Sequence, residues 1–313
     1  MTNQRLAFIF PGQGSQRPGM LADLAQRYPE VGETFAEASE VLGYDLWDLS
    51  QSGGQEELNL TERTQPLMLT ASVAVWRIWC RLDGARPALF AGHSLGEWSA
   101  LVCSGSVALA DAVGLVRNRG AYMQEAVPAG TGAMAAIIGL DDDAIAEACR
   151  QASQQQVVSA VNYNAPGQVV IAGNAEAVAR AVEACKQAGA KRAMPLPVSA
   201  PFHTSLMKPA ADRLAPEIMQ TTFKAPGIPI IHNVTLASET QPEAIQKLLI
   251  EQIYRPVPWV KTIETLSSHG IDTLVECGAG KVLSGLTKRI DKALTSVATE
   301  DSDNLAAALE ATR

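Results

Sequence analysis

Leu6 to Phe10 is an unbroken apolar run that stops at Pro11-Gly12. Such a run is the pattern of a strand buried on both faces, as parallel strands covered by helices are. Helical segments with mixed faces follow, so the chain opens in α/β style. Ala88 to Ala91 is a second short apolar run, ending in Gly-His-Ser-Leu-Gly, and Glu97 to Cys103 continues without an internal breaker. The reading there is strand, tight turn, helix. From Gly132 the texture changes. Ala133 to Gly139 reads as a strand and Asp141 to Ala152 as a helix; Val157 to Asn162 and Gln168 to Ala172 read as two strands around Ala165-Pro166-Gly167. Ala175 to Ala188 reads as a helix and Arg192 to Val198 as a strand. The order βαββαβ is the split βαβ, or ferredoxin-like, pattern. The expected organisation is a large α/β domain over 1–129 and 199–313 with a small domain inserted at 130–198. In the returning part, Ile228 to Asn233 and Thr273 to Glu276 read as strands of the parent sheet, and the polar tail beyond Ala293 reads as a closing helix.

Composition narrows the function classes. A chain of 313 residues, 47% hydrophobic, can bury a sizeable core. Acidic residues outnumber basic ones by 33 to 25, a formal charge of -8. This argues against nucleic acid or an anionic membrane as the main partner, and any anionic partner must meet a local basic patch. The first apolar run is too short for the core of a secretory signal, and no stretch is long enough to span a bilayer. Cys80, Cys103, Cys149, Cys185 and Cys277 are scattered without paired spacing, as expected for thiols in a reducing cytoplasm. None has the context of a metal ligand.

Gly92-His93-Ser94-Leu95-Gly96 fits G-x-S-x-G, in which a serine sits on a sharp strand-to-helix turn with its hydroxyl projecting. A side chain at either glycine would collide with neighbouring backbone, and the following helix adds positive potential where an oxyanion develops. Ser94 is therefore the candidate nucleophile, although the pentapeptide alone also suits a plain turn. A serine hydroxyl needs a base, and four histidines are available. His93 adjoins the serine and diverges from it on such a turn. His269 lies in an exposed-looking helix end, and His232 follows an apolar run as a core or strand-end residue. His203, in Ser199-Ala200-Pro201-Phe202-His203, follows the inserted domain, where a crossing chain would line a cleft. It is the candidate base. No acidic residue announces itself as a third member, and a backbone carbonyl would orient the imidazole equally well.

Pro11-Gly12-Gln13-Gly14-Ser15 invites a phosphate-loop reading and fails it, because Met20 stands where the lysine is required and Arg17 where the third glycine of G-x-G-x-x-G belongs. A Gly-rich loop at the carboxyl end of a strand can instead bring a backbone N–H and the Gln13 side chain towards the serine, or is a plain turn. Arg117 and Arg119 are two apart and point in different directions on a helix. One of them buried would need an anion, and a substrate carboxylate held bidentately would serve, although the residues alone suit a surface ion pair better.

Together, Pro11-Gly12-Gln13-Gly14-Ser15, Gly92-His93-Ser94-Leu95-Gly96-Glu97, Arg119 in Arg-Gly-x-x-Met-Gln and Phe202-His203 resemble the malonyl-CoA:acyl carrier protein transacylase family. The likeness runs through nearly the whole chain, including Gly130 to Met134, Val161 to Gln168 and Glu276-Cys277-Gly278. The resemblance implies a hydrolase-like α/β core with a parallel sheet and a ferredoxin-like insert. It implies that Ser94 carries the malonyl ester, that His203 is the base, and that Gln13 with the Leu95 backbone N–H forms the oxyanion hole. Arg119 would pair with the malonyl carboxylate, with Phe202 and Asn162 also at the substrate. Gln252 matches the position whose backbone carbonyl orients the histidine. The activity implied is ping-pong malonyl transfer from coenzyme A to an acyl carrier protein in fatty acid biosynthesis, in the cytoplasm, by a monomer without metal or redox cofactor. Lys191 with Arg192 and Lys288 with Arg289 are adjacent cationic pairs that would serve an acidic carrier and the coenzyme A phosphates, or are ordinary solvated faces. A serine esterase or thioesterase would share the elbow and histidine, and a noncatalytic acyl-binding module would share the fold.

Overall fold

Nine strands form two sheets in a computed structural model that describes residues 2–198 and 200–313. They are β1 (Thr2–Phe10), β2 (Arg86–Gly92), β3 (Gly132–Ile138), β4 (Val158–Ala165), β5 (Gln168–Asn174), β6 (Arg192–Pro195), β7 (Ile230–Ile231), β8 (Thr273–Glu276) and β9 (Thr295–Ala298). The larger sheet has the order β7-β2-β1-β8-β9 with every pairing parallel. Its central strand shows why the first apolar run is continuous. Leu6, Phe8 and Phe10 enter the main core, whereas Ala7 and Ile9 enter a second core on the opposite face. The helices Pro29–Leu42, Thr61–Arg81 and Leu109–Glu125 cover the first face, and Trp259–Ser268 and Val282–Ile290 cover the second. Among the described residues, no helix is long and apolar enough to cross a membrane.

The smaller sheet has the order β4-β5-β3-β6, with antiparallel pairings throughout. β3 and β4 therefore run parallel with β5 between them, and the helix Asp142–Ser153 connects them. β5 and β6 flank β3 in the same way, joined by Ala175–Gln187. This is the βαβ unit split by an intervening strand, twice over. It has its own core, centred on Ala135, Ile137, Ile145, Val169 and Ile171. β4 is tied to the larger part where Val257 donates to the Val161 carbonyl at 2.7 Å and accepts from Tyr163 at 3.0 Å. The expected domain junction at Ser199 lies outside the described residues.

Two expectations need correction. The tail is not a helix alone: Thr295–Ala298 pairs with β8 before the helix Ser302–Ala311, because its alternating buried and exposed positions complete the sheet edge. The strand expected over Ile228 to Asn233 is only Ile230–Ile231, since His232 and Asn233 turn inwards to meet the buried carboxylate of Glu97.

Candidate active site

The Gly92-to-Gly96 turn joins β2 to the helix Gly96–Cys103 and depends on both glycines. A Cβ at Gly92 would lie 2.0 Å from the Gly96 carbonyl carbon, and one at Gly96 would lie 2.0 Å from the Phe10 carbonyl oxygen. At the apex Ser94 has φ 52°, in the left-handed region that a side chain disfavours. Strain of that kind, about 1–3 kcal/mol, persists only where the surroundings over-determine it. Here they do. The Ser94 N–H donates to Asn233 Oδ1 at 3.0 Å, and its carbonyl accepts from Gln252 Nε2 at 3.0 Å and from the Glu97 N–H at 3.1 Å.

Ser94 Oγ lies 2.8 Å from His203 Nε2, and His203 Nδ1 lies 2.9 Å from the Gln252 backbone oxygen. A carbonyl only accepts, so Nδ1 carries the proton and Nε2 is left to accept from the serine. His203 is itself at φ 62° and only 4% exposed. Burial lowers its pKa from 6.5 to about 3, helped by the Arg119 charge and opposed by the bond to Gln252. The imidazole is thus neutral at neutral pH, as a base must be.

Arg119, on the helix Leu109–Glu125, is 2% exposed, while Arg117 is half-buried. Its Nη1 donates to Gln65 Oε1 at 2.9 Å, and its Nη2 reaches Gln252 Oε1 at 3.1 Å and Ser94 Oγ at 3.3 Å. Nε has no partner among the described residues. Burial lowers the Arg119 pKa to about 10, against the opposing influence of Glu97, so it stays a cation at neutral pH.

These groups line a cleft of about 360 Å³, of the size that small-molecule sites occupy. Gln13 and Leu95 line it as well. The Leu95 N–H donates to no acceptor among the described residues, leaving it available to a ligand. Met134, Asn162, Leu196 and Val198, from the smaller sheet and the segment after it, also line it, and Phe202 packs against the apolar cluster that contains Met134. Asn162 Oδ1 is buried there without a partner among the described residues.

Among the described residues no other histidine bonds the serine hydroxyl, although His93 also lines the cleft. His93 Nε2 meets Asn164 Oδ1 at 2.8 Å with its ring against Trp259, His232 is wholly buried against Glu97, and His269 is exposed at a helix end. None of Lys191, Arg192, Lys288 and Arg289 lines the cleft. Two of them converge. Arg192 faces Ile138 across β6 and β3, Ile138 faces Gln168 across β3 and β5, and Arg289 donates to Gln168 Oε1. Arg192 and Arg289 therefore stand at the same end of the smaller sheet, with Arg192 four residues before the cleft-lining Leu196, or roughly 13 Å of extended chain.

Sequence reasoning missed Gln65, Glu97 and Asn233. Glu97 enters the sequence reading only as a helix residue and the last residue of the elbow motif, with no role of its own, although a carboxylate heading Trp98-Ser99-Ala100-Leu101 is the available signal of a buried acid. Asn233 gave none, because three of its partners, Ser94, Gly92 and Glu97, lie far back in the chain.

The acyl transferase domain family matches residues 7–308. The chain is 60% identical over 306 residues to the malonyl CoA-acyl carrier protein transacylase of Escherichia coli (strain K12), covering 98% of this chain and 99% of the relative. Among solved structures, it resembles an acyl carrier protein S-malonyltransferase from Vibrio cholerae, with a TM-score of 0.95 and 59% identity over 97% of this chain and 99% of the other. It also resembles a malonyl-transacylase in complex with its type II PKS acyl-carrier protein, with a TM-score of 0.97 and 55% identity over 98% and 99% of the two chains.

Proposed function

The chain belongs to the malonyl CoA-acyl carrier protein transacylases of the acyl transferase family, and from that premise we propose how its own residues move the malonyl group from coenzyme A to the phosphopantetheine thiol of an acyl carrier protein. The observation that carries the reading is the relay from Ser94 Oγ through the His203 ring to the Gln252 carbonyl, with Arg119 in contact with the same hydroxyl. Nucleophile, base and cation share one small cleft.

In the first half-reaction His203 Nε2 takes the hydroxyl proton as Ser94 Oγ adds to the thioester carbonyl. The oxygen that becomes an anion is received by the Leu95 N–H and the Gln13 side chain, preorganised donors of the kind that stabilise such charge. Collapse expels coenzyme A, whose sulfur recovers the proton from His203, and leaves malonyl-Ser94. In the second half-reaction His203 takes the proton of the carrier thiol, the sulfur adds to the ester, and Ser94 leaves with that proton. Each step is addition or elimination at a carbonyl with one proton moved, so the coenzyme A thioester is a substrate and no resident cofactor is called for.

Arg119 is assigned to the malonyl carboxylate. Its Nε shares an edge of the guanidinium with Nη2, the nitrogen beside Ser94 Oγ, so an acyl chain on that oxygen can return its carboxylate to two N–H groups. Phe202 and Asn162 are assigned to the wall along which acyl chain and pantetheine lie, the unpartnered Asn162 oxygen suiting an amide N–H. Lys191, Arg192, Lys288 and Arg289 are assigned to the acidic carrier and the coenzyme A phosphates. In the same reading the segment 130–198 is an inserted domain within 1–129 and 199–313, and the protein works in the cytoplasm as a monomer in fatty acid biosynthesis.

Radiolabelled malonyl-CoA tests this. Label should remain on the protein until a holo carrier is added and then appear on the carrier. Label released to water at the same rate with and without carrier would make the protein a hydrolase, and no label at all would leave it a binding module.

A further inference from the structure

Glu97 is completely buried at the start of the helix Gly96–Cys103 and is not needed to move any proton in the transfer reaction. Its Oε2 accepts from Gln252 Nε2 at 2.8 Å and from the Asn233 N–H at 3.0 Å, and its Oε1 lies 2.7 Å from His232 Nδ1. The Gln252 carboxamide thus has Arg119 Nη2 on its oxygen and Glu97 on its nitrogen. An amide so oriented presents its negative end to the cation and its positive end to the anion, which links the two charges through one dipole. Arg119 makes its remaining contacts to Gln65 and Ser94, both neutral.

We propose that Glu97 is the resting counter-charge of Arg119, acting through Gln252, and that it sets how strongly the cleft favours an acyl group bearing a carboxylate. The proposal rests on the reading of Arg119 as the partner of that carboxylate. A guanidinium buried to this degree needs an anion before substrate arrives. When substrate brings a second anion, Glu97 stays where it is, held by three partners, so two anions share one cation. Their repulsion holds the carboxylate less tightly than an unshared Arg119 would, which lets the acyl group leave with the carrier. Glu97 is a positioning residue in this scheme and touches no reacting atom.

Glu97→Gln removes the charge and little else. The introduced carbonyl oxygen can accept from Gln252 and Asn233, and the introduced NH₂ can donate to His232 Nδ1. His232 Nε2 has no partner among the described residues, so a change of tautomer breaks no protein hydrogen bond. The measurement is kcat and KM for malonyl-CoA and acetyl-CoA in wild type, Glu97→Gln, Glu97→Asp and Arg119→Ala. Glu97→Gln should raise the malonyl-to-acetyl ratio of kcat/KM on the order of tenfold, chiefly through a lower KM for malonyl-CoA, as removal of a like charge several ångströms away implies. Glu97→Asp keeps the charge and should stay near the wild-type ratio.

An unchanged or lowered ratio in Glu97→Gln, or the same ratio change in Glu97→Asp, overturns the proposal. An unchanged ratio in Arg119→Ala overturns instead the reading of Arg119 beneath it. Should Glu97→Gln not fold, thermal melts of Arg119→Gln and of the Glu97→Gln/Arg119→Gln double variant decide. The double variant, with both charges gone, should melt above Arg119→Gln alone; equal or lower melting would show that the charges are uncoupled.

Discussion

The two sheets give the cleft different things. The parallel sheet presents Ser94 after β2, Gln13 after β1 and Asn233 after β7, and helices packed on it bring Arg119 and Gln252. There, hydrogen bonds pin the strained Ser94 backbone, from Asn233, Gln252 and Glu97, and the Gln252 carbonyl holds the His203 ring. The antiparallel sheet presents Met134 and Asn162 from a body with its own core, and only a small apolar cluster of Met134, Val161, Val170 and Ala172 faces Phe202. The proposed nucleophile and base are thus pinned on one side, and residues of the other sheet complete the lining of the cleft. A reaction that needs sub-ångström placement of nucleophile and base, yet must admit first coenzyme A and then a whole carrier protein, is served by that division.

Changes on the parallel-sheet side should therefore be the severe ones. Ser94→Ala should lower the transfer rate by on the order of 10⁴ to 10⁶, because no other hydroxyl stands on the elbow. Steady-state transfer to carrier checks it, and a rate within tenfold of wild type would remove Ser94 from the chemistry. His203→Ala should slow both half-reactions by on the order of 10² to 10⁴, whereas His232→Ala should act on stability and leave most of the rate in the folded fraction. Equal losses in the two folded variants would mean that the base is misassigned.

The same histidine carries a pH signature. Its pKa is lowered from 6.5 to about 3, chiefly by burial, so the acid limb of kcat/KM for malonyl-CoA should lie more than one unit below 6.5. For stability the sign follows from proton uptake. Between those two values the unfolded chain binds a proton that the folded chain refuses, so stability is lost as pH falls through that window. His203→Ala should flatten that dependence in urea titrations at pH 4 to 7, with buried His93, lowered in the same direction, leaving a smaller slope.

Arg119→Ala sharpens the comparison, since it changes which acyl group is accepted while leaving nucleophile and base in place. Charged hydrogen bonds contribute roughly 1.5–3 kcal/mol each. The malonyl-to-acetyl ratio of kcat/KM should fall at least tenfold on that scale, and lysine, a point charge without the fork, should restore little of it.

The smallest effects belong to the exposed cations where the end of the antiparallel sheet meets the helix Val282–Ile290. Lys191→Glu or Arg289→Glu should raise KM for the carrier by a few-fold at low salt, and the difference should shrink at high ionic strength. A KM for carrier indifferent to both changes would make that end of the sheet an ordinary solvated face.

The same division explains what could be read from the chain. The elbow was legible because a serine at positive φ demands glycines on either side, a requirement written within five residues. The split βαβ pattern was legible because each strand and helix there follows its own period. The place of His203 after the segment 130–198 pointed to it, and its ring stands 2.8 Å from Ser94 Oγ. Nothing pointed to the orienting group, because a backbone carbonyl has no residue type; Gln252 came only through resemblance. The Glu97, His232, Asn233 and Gln252 network was illegible for a related reason. Its members stand up to 155 residues apart and each looks ordinary alone, so only burial in three dimensions brings their donors and acceptors together.

The central claim is that Ser94 itself becomes the malonyl ester. Intact-protein mass spectrometry after brief incubation with malonyl-CoA, followed by peptide mapping, reads this directly. The account predicts a single malonyl adduct on the peptide containing Ser94, absent in Ser94→Ala and discharged when holo carrier is added. An adduct of normal yield in Ser94→Ala, or one mapped to any other residue, would contradict it.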